Sequence, residues 1–475
     1  MPAPSHARRN PRIEVLRLVA VVAVTVFHVF QTWFSAATAG TWSCGTLTLA
    51  LLGVTSLLGT FGNHVFYMVS GMFLVPGAAA RSHDVGFWPG EGRRLVRRAL
   101  PIVATVALYA PVALAVSTWV VPIEGVAVGE VEWLVGGLEF IWVYLVLVAL
   151  SPLVGWAWAR WRHHGALVGA LVVVVWAVNA YIAFVSPGEE LRSLLEWRKL
   201  MSAVSYLVAF LVGGELGARR PARRSRARAA LVGVAAVCVA AETTAACAGD
   251  LSLMAALSYK STSLLSFALA VAAVALAASE PEGVGATSAE EGAAAAAAAP
   301  AAATPAGAAA TSPSAAATAA AAGPMENLPA AATPSAAAPT TTAATAPMAA
   351  VGTPTSATSA ASAGASAADP TGALSETPAA TPVSPAGASP HGGLAAHAER
   401  VTPAILGFYV AQSMFLNLWR PAVESACATA LAAAGEAAFV ACGLALACAL
   451  VAALLFVDLH LRVPLLRHLG LIASQ

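Results

Sequence analysis

The chain has 475 residues, of which 59% are hydrophobic and 10% charged, and its formal net charge is +1. Soluble globular domains carry about 25% charged residues, so this composition excludes an ordinary soluble enzyme and describes a polytopic membrane protein. A nearly neutral chain also lacks the basic surplus that a nucleic-acid partner requires.

The first apolar run, Ile13 to Phe34, reads IEVLRLVAVVAVTVFHVFQTWF. About twenty such residues cross a hydrocarbon core about 30 Å thick at a rise of about 1.5 Å per residue. Glu14, Arg17 and His28 interrupt it. Glu14 and Arg17 adjoin on one helix face. Arg17 and His28 are separated by three turns plus only about 20°, so they share a line along the helix. An ionisable side chain at membrane depth costs about 2.5 kcal/mol or more, and it faces the protein interior or a wet cavity. Arg17 lies near one end and can snorkel, whereas His28 lies about 16 Å deeper. His28 is the first catalytic candidate; a neutral core histidine bonded to a neighbouring helix is the structural alternative. Residues 8–39 also resemble a signal peptide ending at Ala37-Thr38-Ala39. The apolar run exceeds a signal core of about 7 to 15 residues, so it is read as a retained span.

Further apolar runs lie near 47–76, 98–120, 133–158, 166–186, 201–218, 229–248, 262–279, 401–419 and 436–457. About ten transmembrane helices are expected, an all-α fold. The second run is too long for one straight helix, and a break is expected near Gly59 and Gly62, with Asn63 and His64 opening its second half at the outer side. Treating that run as one pass, with both termini inside, places 20 of the 25 Lys and Arg residues in the cytoplasm. Arg192, Arg198, Lys199, Lys260 and Arg420 remain outside, and the outer loop holding Glu124, Glu130 and Glu132 is acidic. That asymmetry is the positive-inside pattern of a multi-pass protein of the cell membrane.

Residues 1–279 form the first part of the membrane domain, with spans one to eight, and 400–475 continue it with spans nine and ten. Between them, 280–399 are almost entirely Ala, Pro, Thr, Ser and Gly. Prolines recur and no apolar face repeats, so a disordered cytoplasmic loop is expected there. The six cysteines show neither a CxxC pair nor ligand spacing. Most read as small membrane hydrophobes; Cys44 and Cys427, in expected outer loops, could pair if the compartment is oxidising.

Four features stand beside the first span. Arg93, Arg94, Arg97 and Arg98 precede Pro101 at the cytoplasmic start of the third span, where guanidinium forks suit phosphate; lipid-facing topology arginines are the alternative. Phe66 to Leu74 places Ser70-Gly71 inside a span, with Gly71 suited to close helix approach. Ser70 has no visible base partner and is a candidate substrate contact. Asn63 and His64 are second-rank candidates. Tyr409 and Gln412 stand one turn apart near the start of the ninth span, able to bond across helices or line a cavity.

These pieces resemble the membrane acyltransferase type 3 family. The resemblance rests on Ile13-Glu14-Val15-Leu16-Arg17 followed by His28, similar to the family's acidic residue, Leu-Arg pair and Arg-x10-His spacing. It continues through Phe66 to Leu74, the arginine-rich start before Pro101, Pro152 in the fourth span, and Phe210 to Gly217, similar to the family's glycine turn. Two departures stand out. Tyr409-Val410-Ala411-Gln412-Ser413 lacks the histidine of the family's Tyr-Leu-x-His-Pro, and Gly137-Leu138-Glu139 replaces a His-Leu-Trp start to the fourth span.

The resemblance implies an integral-membrane O-acyltransferase. It would move an acyl group, acetyl above all, from acyl-CoA to a hydroxyl of a cell-envelope glycan, polysaccharide or lipid-linked sugar, without a metal. The catalytic set it implies is His28, Arg17 and Glu14: His28 would act as general base, a role suited to an unperturbed imidazole pKa of about 6.5, while Glu14 and Arg17 lie toward the cytoplasmic end of the helix, where Arg17 and the four arginines would hold the donor's phosphates. A covalent role for His28 stays open. The rival from another class is an exporter or flippase of a polysaccharide or lipid-linked intermediate, to which a helix break at Gly59 and Gly62 would lend weight. A third reading is a non-catalytic partner in an envelope complex.

Overall fold

The computed structural model describes residues 10–130, 132–185, 194–219, 221–258, 262–280 and 401–472. The low-complexity insert expected over 280–399 lies, Glu280 apart, outside the described residues. The described residues are helical apart from turns and one isolated bridge between Arg223 and Glu280.

Among the described residues the α-helices of ten residues or more are α1 (Pro11–Thr38), α2 (Thr46–Arg81), α3 (Phe87–Trp119), α4 (Glu139–Arg160), α5 (His164–Ala180), α6 (Leu194–Ala218), α7 (Arg224–Ala248), α8 (Leu264–Ala278), α9 (Ile405–Met414) and α10 (Leu416–Val457). Local chemistry sets their ends. Asn10 caps α1 by accepting from the Arg12 N–H at 3.1 Å, with Pro11 at the first helical position. Gly249, at φ 66°, ends α7. Among the described residues eight helices are long and apolar enough to cross a membrane. The expected eighth span is α8, shorter at 15 residues. The expected tenth span follows the bend of α10 at Gly435, whose φ of 78° is open to glycine.

α1 and α2 form the inside of the bundle. Their apolar windows are 61% and 67% buried, against 22% for α5 and α7. α1 contributes to all three apolar cores: Leu16 and Ala20 to one with α2, α6 and α8, Val21 and Val24 to one with α3 and α9, and Phe30 and Phe34 to one with α7 and α10. A helix apolar on every side is stable only when it is surrounded, and α1 is.

The expected break in α2 does not occur, because the helix runs unbroken from Thr46 to Arg81. Gly59 and Gly62 instead let α1 come close. A Cβ at Gly62 would stand 2.6 Å from the Ala20 carbonyl oxygen, and one at Gly59 would overlap the Phe27 ring. Glycines that look like breakers in water serve packing in a membrane, where close backbone approach replaces a hydrophobic driving force. Asn63 and His64 accordingly lie mid-helix in the interior and not at an outer boundary. His64 is fully buried against the Trp176, Tyr206 and Phe267 rings, and Asn63 donates to the Tyr206 hydroxyl at 3.2 Å.

The stretch Phe210 to Gly217 is likewise helix and not a turn. Gly213 and Gly217 of α6 and Gly71 of α2 leave no room for a Cβ against the facing Met68, Met72 and Phe210 carbonyls. All six cysteines are free thiols, so Cys44 and Cys427 are not paired, and Cys427 is buried inside α10.

After α10 the chain makes a wide turn, Asp458–Arg462, that buries an ion pair at 2.6 Å. Tyr109 of α3 donates to Asp458 at 2.9 Å, while Arg462 donates to the Thr105 hydroxyl at 3.2 Å and to the Pro403 carbonyl. A buried charge persists only when paired, and removing one partner costs about 3–5 kcal/mol. The lock holds the chain end against α3 and the start of α9.

Gly213→Leu should abolish the monodisperse peak of detergent-solubilised protein in size-exclusion chromatography. Gly169→Leu, at a position with open space around it, should leave that peak unchanged.

Candidate active site

Three polar residues of α1 are set by what packs around them. Glu14 is 5% exposed and accepts from Arg17 at 3.0 and 3.1 Å and from the Thr402 hydroxyl. The Arg17 guanidinium also lies 5.9 Å from the Phe73 ring centroid, a cation–π contact from α2. Glu14 therefore orients Arg17 and ties α1 to the segment leading into α9.

Arg17 opens on a cavity of about 270 Å³ shared with Ser70, Arg97, Arg98, Tyr144 and Thr402. Three arginines from α1 and α3 thus line one small space. Ser70 donates to the Phe66 carbonyl at 2.8 Å, which leaves its lone pairs for a ligand. The other two arginines of the run stand apart from that cavity's lining. Arg94 pairs with Glu91 at 2.7 Å, a carboxylate that Arg81 also contacts at 2.8 Å, and Arg93 is exposed.

His28 lines a different cavity, of about 490 Å³, with Glu124, Glu130, Glu132, Trp133, Ser413 and Asn417. The acidic loop, read in the sequence only as a charge signature, forms much of its wall. Ser117 shapes that loop by donating to the Val126 carbonyl at 2.6 Å and accepting from the Ile123 N–H at 3.1 Å. His28 Nδ1 lies 3.3 Å from Gln31 Oε1. Because that oxygen can only accept, the bond places the proton on Nδ1 and leaves the Nε2 lone pair to take one up. Gln31, one turn beyond His28, was not singled out from sequence, and its spacing was the signal.

α1 and α9 run together from the first cavity to the second. Thr402, Ile405 and Leu406 line the Arg17 cavity, and Ser413 and Met414 line the His28 cavity. Tyr409 and Gln412 fall between them and are both buried. Gln412 donates to the Thr25 hydroxyl at 3.4 Å, one turn before His28, yet its carbonyl oxygen and the Tyr409 hydroxyl have no hydrogen-bond partner among the described residues. Phe66, Phe140 and Tyr144 surround Tyr409 or one another at ring separations of 4.7 to 5.2 Å, an aromatic partition between the cavities.

A helical, multi-pass bundle with Glu14, Arg17 and His28 along one interior helix, an arginine-lined cavity and a histidine-lined cavity has the parts of a membrane group-transfer enzyme. The family model described as acyltransferase domain matches residues 10–284, more than half of the chain, and the chain belongs to the membrane acyltransferase type 3 family. It is an acyltransferase. No curated protein and no solved structure matches it.

Glu14→Ala should lower stability by about 1–3 kcal/mol, because Arg17 and Thr402 lose a buried acceptor together. A drop in the melting temperature of the purified protein would read this, with Glu14→Gln recovering much of it; an unchanged melting curve for Glu14→Ala would show that the joint does not hold α9.

Proposed function

We propose that the protein O-acylates a hydroxyl-bearing acceptor, a cell-envelope glycan or lipid-linked sugar, from cytoplasmic acyl-CoA, with acetyl the first acyl group to try. The carrying observation is that α1 joins two cavities of different chemistry. The first presents Arg17, Arg97 and Arg98, which suit the donor's phosphates as charge-assisted, often bidentate partners. The second presents His28 among carboxylates, a tryptophan and an asparagine, groups that suit sugar hydroxyls and a sugar face.

The arginine excess at the first cavity and the acidic loop at the second support an orientation with both termini cytoplasmic. The donor then enters from inside and the acceptor from outside. The acyl-bearing arm of CoA runs along α1 and α9 past Ser70, Tyr409 and Gln412, whose free acceptor and hydroxyl suit its amides. At His28 the acceptor oxygen attacks the thioester carbonyl as its proton passes to Nε2. The carbon–sulfur bond breaks, CoA leaves as thiolate, and the imidazolium returns the proton.

Gln412 stands where the family's motif commonly has a second histidine, so in this proposal one imidazole does the proton transfer. The transport alternative loses its sequence argument with the unbroken α2.

Purified protein in nanodiscs, given radiolabelled acetyl-CoA and an envelope glycan extract, should release CoA. His28→Ala should lower the rate by about 10²–10⁴-fold at unchanged donor affinity, whereas Arg97→Gln with Arg98→Gln should raise the donor KM with a smaller effect on kcat. Release that is indifferent to His28 in folded protein would overturn the assignment.

A further inference from the structure

A third cavity, about 830 Å³, lies on the other side of α1 from the Arg17 cavity, between α1, α2, α7 and α8. Its walls are apolar, with Val15, Leu58, Phe61 and Leu269 among them, and among the described residues its polar lining consists of two arginines, Arg12 and Arg224. Arg12 is the second residue of α1 and Arg224 the first of α7, so both cations stand at the same end of the groove. Each is partly exposed. Arg12 spends one N–H on the Ser279 carbonyl at 3.0 Å and keeps the rest of its fork.

Two further features fit an anion and a chain at this place. The α7 N-terminus has no side-chain cap and its dipole adds partial positive charge beside Arg224, with the backbone bridge of Arg223 to Glu280 on the same turn. The wall helix α8 has 15 residues, short of the roughly 20 needed to cross the hydrocarbon core.

We propose that this groove holds one anionic phospholipid, its phosphate on Arg12 and Arg224 and one acyl chain along Val15, Leu58, Phe61 and Leu269. Charge complementarity selects the head group, and the apolar walls select a hydrocarbon chain. The site is independent of the acyl-transfer chemistry. It touches the face of α1 opposite Arg17, and so it braces the helix that carries Glu14, Arg17 and His28.

The test is native mass spectrometry of the full chain in detergent, titrated with phosphatidylglycerol and with phosphatidylcholine of matched chains. Wild type should retain one phosphatidylglycerol with a preference of roughly tenfold or more, the expectation for two arginines facing a head group of net negative charge and not one whose phosphate is balanced by choline. Arg12→Gln with Arg224→Gln should erase that preference. Arg226→Gln with Arg228→Gln, both exposed and absent from the groove lining, should keep it. Val19→Trp, at an exposed position on the groove wall, should weaken both lipids and serves as the independent variant if the double arginine variant fails to fold. An unchanged preference in Arg12→Gln with Arg224→Gln, or an equal loss in the Arg226 and Arg228 variant, would overturn the site. Displacement of phosphatidylglycerol by lower concentrations of a polyprenyl diphosphate would overturn the phospholipid assignment in favour of an acceptor lipid.

Discussion

The Glu14 carboxylate, almost sealed from solvent, accepts from Arg17 one turn along α1 and from Thr402 across the bundle. Shut away from water, such a group exists only where the protein itself satisfies it. That requirement draws the start of α9 onto α1, and the buried Arg462–Asp458 pair holds the same segment from the other side through the Pro403 carbonyl. α9 is therefore clamped at one end by two charged networks, with Gly407 leaving the space that the Asp458 and Arg462 side chains occupy. Tyr409, Gln412 and Ser413 take their places along α1 as a consequence.

This arrangement separates two kinds of chemistry along one helix. Cations gather where Arg17, Arg97 and Arg98 meet, and carboxylates gather where His28 emerges. Between them the Phe66, Phe140, Tyr144 and Tyr409 rings fill the space that water would otherwise occupy. A partition of this kind excludes bulk solvent from the space between the cavities, which under the proposed function is the path of the donor's acyl-bearing arm. The unpaired Tyr409 hydroxyl and Gln412 carbonyl are the polar atoms that such an arm would meet on its way.

Much of the bundle was legible because charges in an apolar run are expensive and therefore informative. Glu14, Arg17 and His28 stood out on that ground, and Tyr409 and Gln412 on their one-turn spacing. What escaped depends on distant pairing. Thr402 meets Glu14 across 388 positions of sequence, and no local pattern announces that contact. The shared line of Arg17 and His28 was visible, but that they open on separate cavities depends on α3, α9 and the loop held by Ser117. Gly59 and Gly62 were misread for a physical reason: glycine weakens an isolated helix in water, while inside a packed membrane bundle it admits a neighbouring backbone. The Asp458 and Arg462 pair had helical spacing, but its burial comes from α3 and α9, not from its own neighbours.

A two-ended site makes the sidedness of donor use its most direct test. Inside-out and right-side-out membrane vesicles carrying the protein would each receive labelled acetyl-CoA from the outer solution, with label transfer to the envelope acceptor followed over time. Transfer confined to the vesicles that expose the Arg97 and Arg98 face is the expected result. Equal transfer in both orientations would contradict a site in which donor and acceptor enter from opposite ends of α1.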